Sequence, residues 1–158
     1  MDTMSSSVAR VVAALRDNDN MTLALAQALS ACVREKAQEI GVKAVVALSN
    51  GGANPVLVEC SDDSYIASYD VALNKAFTVV ALKMATKTLK PLAQPGESLY
   101  GIQFTNGGKI VIFGGGVPLK NKKGEIIGGL GVSGGSEDQD TFLADFGGEI
   151  FDACVKNL

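Results

Sequence analysis

Apolar residues recur every three to four positions in several parts of the chain and alternate or run together between them. Near the N-terminus Val8, Val11, Val12 and Leu15 share one helical face, and the turn-forming run Asp17-Asn18-Asp19-Asn20 ends it. Leu25, Leu29, Val33, Ala37 and Ile40 predict a longer amphipathic helix over 22–40, with Thr22 as N-cap and Gly41 as its stop. Residues 68–87 predict another, carrying Val71, Lys75, Ala76, Val79 and Leu82, with Pro91 and Pro95-Gly96 ending the connection that follows. The last helix opens at Ser136, which forms a capping box with Gln139, and buries Phe142, Phe146, Ile150 and Ala153. Gly147 and Gly148 in its middle each cost about 1 kcal/mol relative to alanine. Their presence predicts a close crossing there, against a strand or a second subunit.

Between the helices the period shortens. The β-branched run 43–49, the turn Asn50-Gly51-Gly52 and the return 56–59 predict a hairpin, with Pro55 at the start or edge of its second strand. Residues 61–64 read as a polar loop. Further strands are predicted over 99–105, 109–119 and 126–135, joined by Asn106-Gly107-Gly108 and by Lys123-Gly124. Helix, hairpin, helix, three more strands and a terminal helix give an α+β fold, an antiparallel five-stranded sheet flanked by helices. Residues 1–20 are expected to form an N-terminal helix or arm and 21–158 a single domain.

Composition narrows the partners. Apolar residues make up 47% and charged residues 20% of the 158, which fits one globular domain with some apolar surface left for a subunit contact. A net charge of -3 without a basic run argues against nucleic acid or an anionic membrane as partner. No segment is long and apolar enough to span a bilayer, and none resembles a signal peptide, so a cytoplasmic protein is expected. The three cysteines, Cys32, Cys60 and Cys154, have neither disulfide nor metal-site spacing and are expected to be small buried residues. The chain has no histidine. That excludes His-dependent triads and imidazole acid–base chemistry, and no metal site is expected.

Candidate chemistry gathers at two glycine-rich turns. Gly114-Gly115-Gly116 leads to Pro118, and Ser133-Gly134-Gly135 ends a strand at the start of the capped helix. Backbone N–H groups in such turns can hold a carboxylate or phosphate, and glycine can equally serve only to let a helix cross the sheet. Lys75 is the ionisable residue that the pattern singles out. Buried, it could act as a base or anion anchor; alternatively its stem packs on the sheet while its head pairs with Asp70 or Asp140. Tyr100 reads as a packed strand residue rather than a ligand-binding one. The candidate ligand-binding set is Lys75, Gly114, Gly115, Gly116, Pro118, Ser133, Gly134 and Gly135, with no catalytic residue assigned.

The ordered set Ala72-x-x-Lys75-Ala76-x-Thr78, Pro95-Gly96-x-x-Leu99-Tyr100-Gly101, Gly114-Gly115-Gly116-x-Pro118-Leu119 and Gly128-Gly129-x-Gly131-Val132-Ser133-Gly134-Gly135-x-x-x-x-Asp140 resembles the GlcG/HbpS-like family. That family includes the C-terminal domain of PduO-type cobalamin adenosyltransferases. The resemblance implies a profilin-like sheet, homo-oligomeric assembly, haem or corrinoid as ligand in some members, and a link to glycolate, diol or glycerol metabolism, including bacterial microcompartments. The segment 22–40 lacks the histidine that haem-binding members carry on the first long helix, which weighs against haem as cofactor. The expected function is therefore a small-molecule binding module. The alternatives are an enzyme acting on a small carboxylate or aldehyde through Lys75, and a structural subunit of a metabolic assembly.

Overall fold

The computed structural model describes residues 5–15 and 20–158. Its elements are α1 (Ser6–Leu15), α2 (Leu23–Glu39), β1 (Val45–Asn50), β2 (Pro55–Cys60), α3 (Ile66–Ala81), α4 (Thr86–Leu92), β3 (Gly116–Lys120), β4 (Ile126–Ser133) and α5 (Glu137–Lys156). Of the predicted turn at 17–20, all but Asn20 lies outside the described residues. The local signals act as read: Leu25 N–H donates to the Thr22 hydroxyl at 3.2 Å, and Ser136 and Gln139 form the reciprocal capping box of α5.

The four strands make one antiparallel sheet in the order β2-β1-β4-β3. β1 is central and buried on both faces. Val46 and Leu48 enter the main core with α2 and α5, while Val45 and Ala47 meet Ala72 and Ala76 of α3. The molecule thus has three layers, with α3 on one side of the sheet and α2 and α5 on the other. α1 lies against α2 and α5 and adds Val11 and Leu15 to the main core.

Several expectations are corrected, among them the buried face of α5, which carries Leu143, Ala144, Gly147, Phe151 and Cys154, while Phe142 and Ala153 are exposed and Phe146 and Ile150 only half-buried. The described sheet has four strands rather than five, because the stretch 99–113 forms turns instead of ladders. Gly101, Asn106, Gly107 and Gly108 all have positive φ, which no strand tolerates, and single 3-10 turns occupy Ile102–Phe104 and Asn106–Gly108. The β-branched run that follows is held by a side chain: the Thr78 hydroxyl accepts from Val111 N–H at 3.0 Å, while its proton is shared between the Asn74 carbonyl at 2.7 Å and the Lys109 carbonyl at 3.2 Å. Tyr100 accordingly stands exposed in a turn. The predicted helix 68–87 ends at Ala81, since Lys83 has φ +57, and α4 restarts at Thr86. Cys32 and Cys154 are buried as expected, but Cys60 at the end of β2 is exposed.

Glycine sets the spacing between layers. A Cβ on Gly131 of β4 would overlap the Ala72 carbonyl oxygen and lie 2.7 Å from the Ala76 nitrogen, so α3 rests directly on the strand backbone. On the other face α5 crosses β4 at Gly147. A Cβ there would sit 2.5 Å from Leu130 Cδ2 and 2.7 Å from Val33 Cγ2, both in fully buried side chains. Gly148 faces only Val117 Cγ2, at 3.2 Å, on a half-buried residue free to turn. Gly148→Ala is therefore expected to raise the melting temperature by roughly 2–4 °C through the ~1 kcal/mol gain in helix propensity. Gly147→Ala is expected to lower it. Equal shifts in the two melting curves would contradict the close crossing.

Candidate functional site

Lys75 sits in the middle of α3 with its stem against Gly116 and Gly131, where side chains would leave it no room. Its ammonium is fully buried. It donates to the Val132 carbonyl at 2.7 Å and to Asp140 Oδ2 at 3.3 Å, and lies 5.0 Å from the centre of the Phe113 ring. Gly115, at φ +117, passes so close that a Cβ would stand 2.6 Å from Nζ. Burial pushes the Lys75 ammonium below its ordinary value against the opposing pull of Asp140, and burial likewise pushes the Asp140 carboxyl up. Of the two partners that the sequence offered for Lys75, the structure selects Asp140.

The glycine turns do bind carboxylates, and the carboxylates belong to the chain itself. Asp140, in the first turn of α5, accepts through Oδ1 from Gly135 N–H at 2.8 Å. Glu137 Oε1 accepts from Gly114 N–H at 3.0 Å, and the same carboxylate pairs with Lys90 at 2.7 Å. The Lys90 hydrogen bond and the Gly114 N–H hold Glu137 below the usual carboxylate value. Gly116 N–H is taken by the Thr86 hydroxyl at 2.9 Å. Asp140 and Glu137 lock the turns to α3 and α4 respectively.

In front of this locked layer lies an open cleft of about 280 Å³. Ser68 and Ser133 lie within it, 4% and 6% exposed, their hydroxyls 3.1 Å apart. Each hydroxyl carries one proton and two lone pairs, so a single bond between them leaves capacity for a ligand oxygen. Tyr65, Ala67, Val71 and Phe113 supply apolar walls, while Gly134, Gly135, Glu137 and Asp140 complete the lining. The structure thus brings together Lys75, Gly114, Gly115, Ser133, Gly134 and Gly135. Of the candidate set only Ser133, Gly134 and Gly135 line the cleft; Lys75, Gly114, Gly115 and Gly116 do not, nor does Pro118, which stands in β3 opposite Gly129.

Sequence reasoning missed Ser68, Tyr65, Phe113 and the role of Glu137. The exposed pair Tyr65-Ile66 after a polar loop is the signal that could have drawn attention to this end of α3. Among the described residues no group of three or more His, Cys, Asp or Glu is placed to hold a metal ion, and no helix is long and apolar enough to cross a membrane.

A family model described as haem degrading protein HbpS-like matches residues 21–148. A Citrobacter freundii protein, named only as an uncharacterized 15.0 kDa protein in the dhaT-dhaS intergenic region, is 44% identical over 125 residues, 79% of this chain and 87% of that one. The corrinoid adenosyltransferase PduO of Salmonella typhimurium is 41% identical over 110 residues, which are 70% of this chain but only 32% of PduO. A crystal structure of a PduOC:heme complex is 38% identical with a TM-score of 0.75, covering 77% of this chain and 88% of that one.

Proposed function

The chain belongs to the HbpS-like family, matched over 21–148, and on that premise we propose that it binds a small organic molecule in the cleft between α3 and the turn at 133–135. One observation carries this reading: the ammonium of Lys75 is sealed behind Asp140 and Val132, while Ser68 and Ser133 keep hydrogen-bonding capacity within the cleft. Lys75 and Gly114–Gly116 then shape the wall from behind, and Ser133, Gly134 and Gly135 meet the ligand. An enzyme using Lys75 as base would first have to open that layer. The kinship with PduO, of which the chain spans about a third, supports a ligand drawn from corrinoid-linked metabolism. Homo-oligomeric assembly is part of the same proposal, supported by Ile66 at 98% and Phe104 at 80% exposure.

The test uses benzyl alcohol, a flat apolar ring with one hydroxyl, and follows backbone amide resonances. Shifts are expected at Ser133, Gly134 and Gly135 and are expected to vanish in Ser133→Val. Shifts scattered elsewhere, or unchanged in the variant, would overturn the site.

A second reading, haem, is favoured by the haem complex of the PduO C-terminal domain. The residues here do not fit an imidazole-bound haem: the chain has no histidine, and Glu137 and Asp140 at the cleft would repel its propionates. Tyr65 is the haem-ligand type that remains at the cleft. Haemin, and separately cobalamin, are expected to leave both visible spectrum and melting curve unchanged. A sharp Soret band with a raised melting temperature would replace the small-ligand reading by a tetrapyrrole one.

A further inference from the structure

The cleft is one end of a longer groove. It shares Tyr65, Gly134 and Gly135 with a neighbouring hollow of about 350 Å³. That hollow in turn shares Gly41, Val42 and Lys43 with a third of about 600 Å³, between the C-terminal end of α2 and the end of β2. The three therefore lie side by side in a row around one end of the sandwich. Gly134 keeps the middle low, since a Cβ there would overlap the Lys43 carbonyl oxygen, and its φ of +143 suits glycine alone.

The two ends differ in chemistry. Phe113, Tyr65 and Val71 make the first end apolar. At the far end stand Arg34 and Lys43. Lys43 is largely exposed and touches Asp63 only at 3.5 Å, a contact worth little and readily exchanged. Arg34 is held through Nε by Glu59 at 3.4 Å; its Nε is buried yet makes no well-aligned hydrogen bond, and Arg34 but not Glu59 lines the hollow. Glu35 and Asp62 share that lining, and Glu35 already accepts the Ser7 hydroxyl. Charge balance alone therefore does not draw an anion there, but a guanidinium and a flexible ammonium lining one hollow can grip one through directed hydrogen bonds. The other anion seat, at Lys75 and the 134–135 turn, is filled by Asp140.

We propose that the groove binds an elongated ligand: a flat ring at the Phe113 end, joined to an arm that ends in a carboxylate or phosphate at Lys43 and Arg34. This rests on the cleft as binding site and adds the class of molecule it takes. Riboflavin and flavin mononucleotide separate the two ends, because they share the ring and differ by the terminal phosphate.

Both are expected to lose fluorescence on binding, with the phosphate form bound at least about tenfold more tightly at low ionic strength. Lys43→Met and Arg34→Met are each expected to bring its affinity toward that of riboflavin, leaving riboflavin unchanged, and added salt should act in the same direction. Lys43 is exposed, so its variant stays informative even if Arg34→Met disturbs packing against Glu59. Equal affinities for the two flavins in the parent would overturn the anion seat. So would a phosphate advantage that survives in the double variant. Absence of flavin binding while benzyl alcohol still shifts the Ser133 amide would overturn the elongated-ligand class and leave the cleft standing.

Discussion

Gly131→Ala is expected to be the most damaging single methyl that can be added to this protein. The new Cβ overlaps the Ala72 carbonyl and presses on the Ala76 nitrogen and the Lys75 Cβ, which lies 3.0 Å away. Two of these three are backbone atoms of α3, so no rotamer change relieves them. The helix must lift from β4, and the contacts of Ala72 and Ala76 with Val45 and Ala47 go with it. Overpacking ordinarily costs 1–3 kcal/mol because side chains yield; a rigid helix backbone places this case at roughly 4 kcal/mol or more. For a domain of this size that is a fall of about 10 °C in melting temperature. A fall of less than about 3 °C would mean that α3 does not lie flush on β4.

The second large effect concerns the buried ion pair. Lys75→Met leaves the Asp140 carboxylate buried with the Gly135 N–H but no cation, and Asp140→Asn leaves the ammonium buried with one carbonyl and a neutral amide. Breaking such a pair from either side costs about 3–5 kcal/mol. The double variant Lys75→Met/Asp140→Asn has no uncompensated charge and keeps an oxygen for the 134–135 turn. It is expected to be no less stable than the worse single variant, a coupling of about 2 kcal/mol or more in a double-mutant cycle. Strict additivity would show that the two residues do not act as a pair. The same cycle separates architecture from binding, since none of these substitutions removes the hydroxyls of Ser68 or Ser133.

What could be read from the sequence is what depends on near neighbours. α2 was legible because Thr22 and Gly41, its cap and its stop, stand beside it in the chain. The hairpins at Asn50 and Gly124 were legible for the same reason. The stretch 99–113 was not: its alternating and β-branched residues describe a strand, but the partner that satisfies the Val111 N–H is the Thr78 hydroxyl, more than thirty residues upstream. Gly101, and Asn106-Gly107-Gly108, which the pattern predicts as a hairpin turn, carry the contrary signal in their positive φ. At the site, the glycine density and Lys75 were visible in the sequence. That Asp140 would fill the turn it follows was not, because the choice between a free and an occupied nest depends on where α3 brings Lys75.

Because Asp140 and the turn it occupies are parts of one chain, its carboxylate never has to diffuse there. A tether alone gives a group an effective concentration around millimolar, and one fixed on a helix in bonding geometry has far more. Acetate, phosphate or any other dissolved anion competes with it on unequal terms, so this nest is insulated from the ionic background of its surroundings.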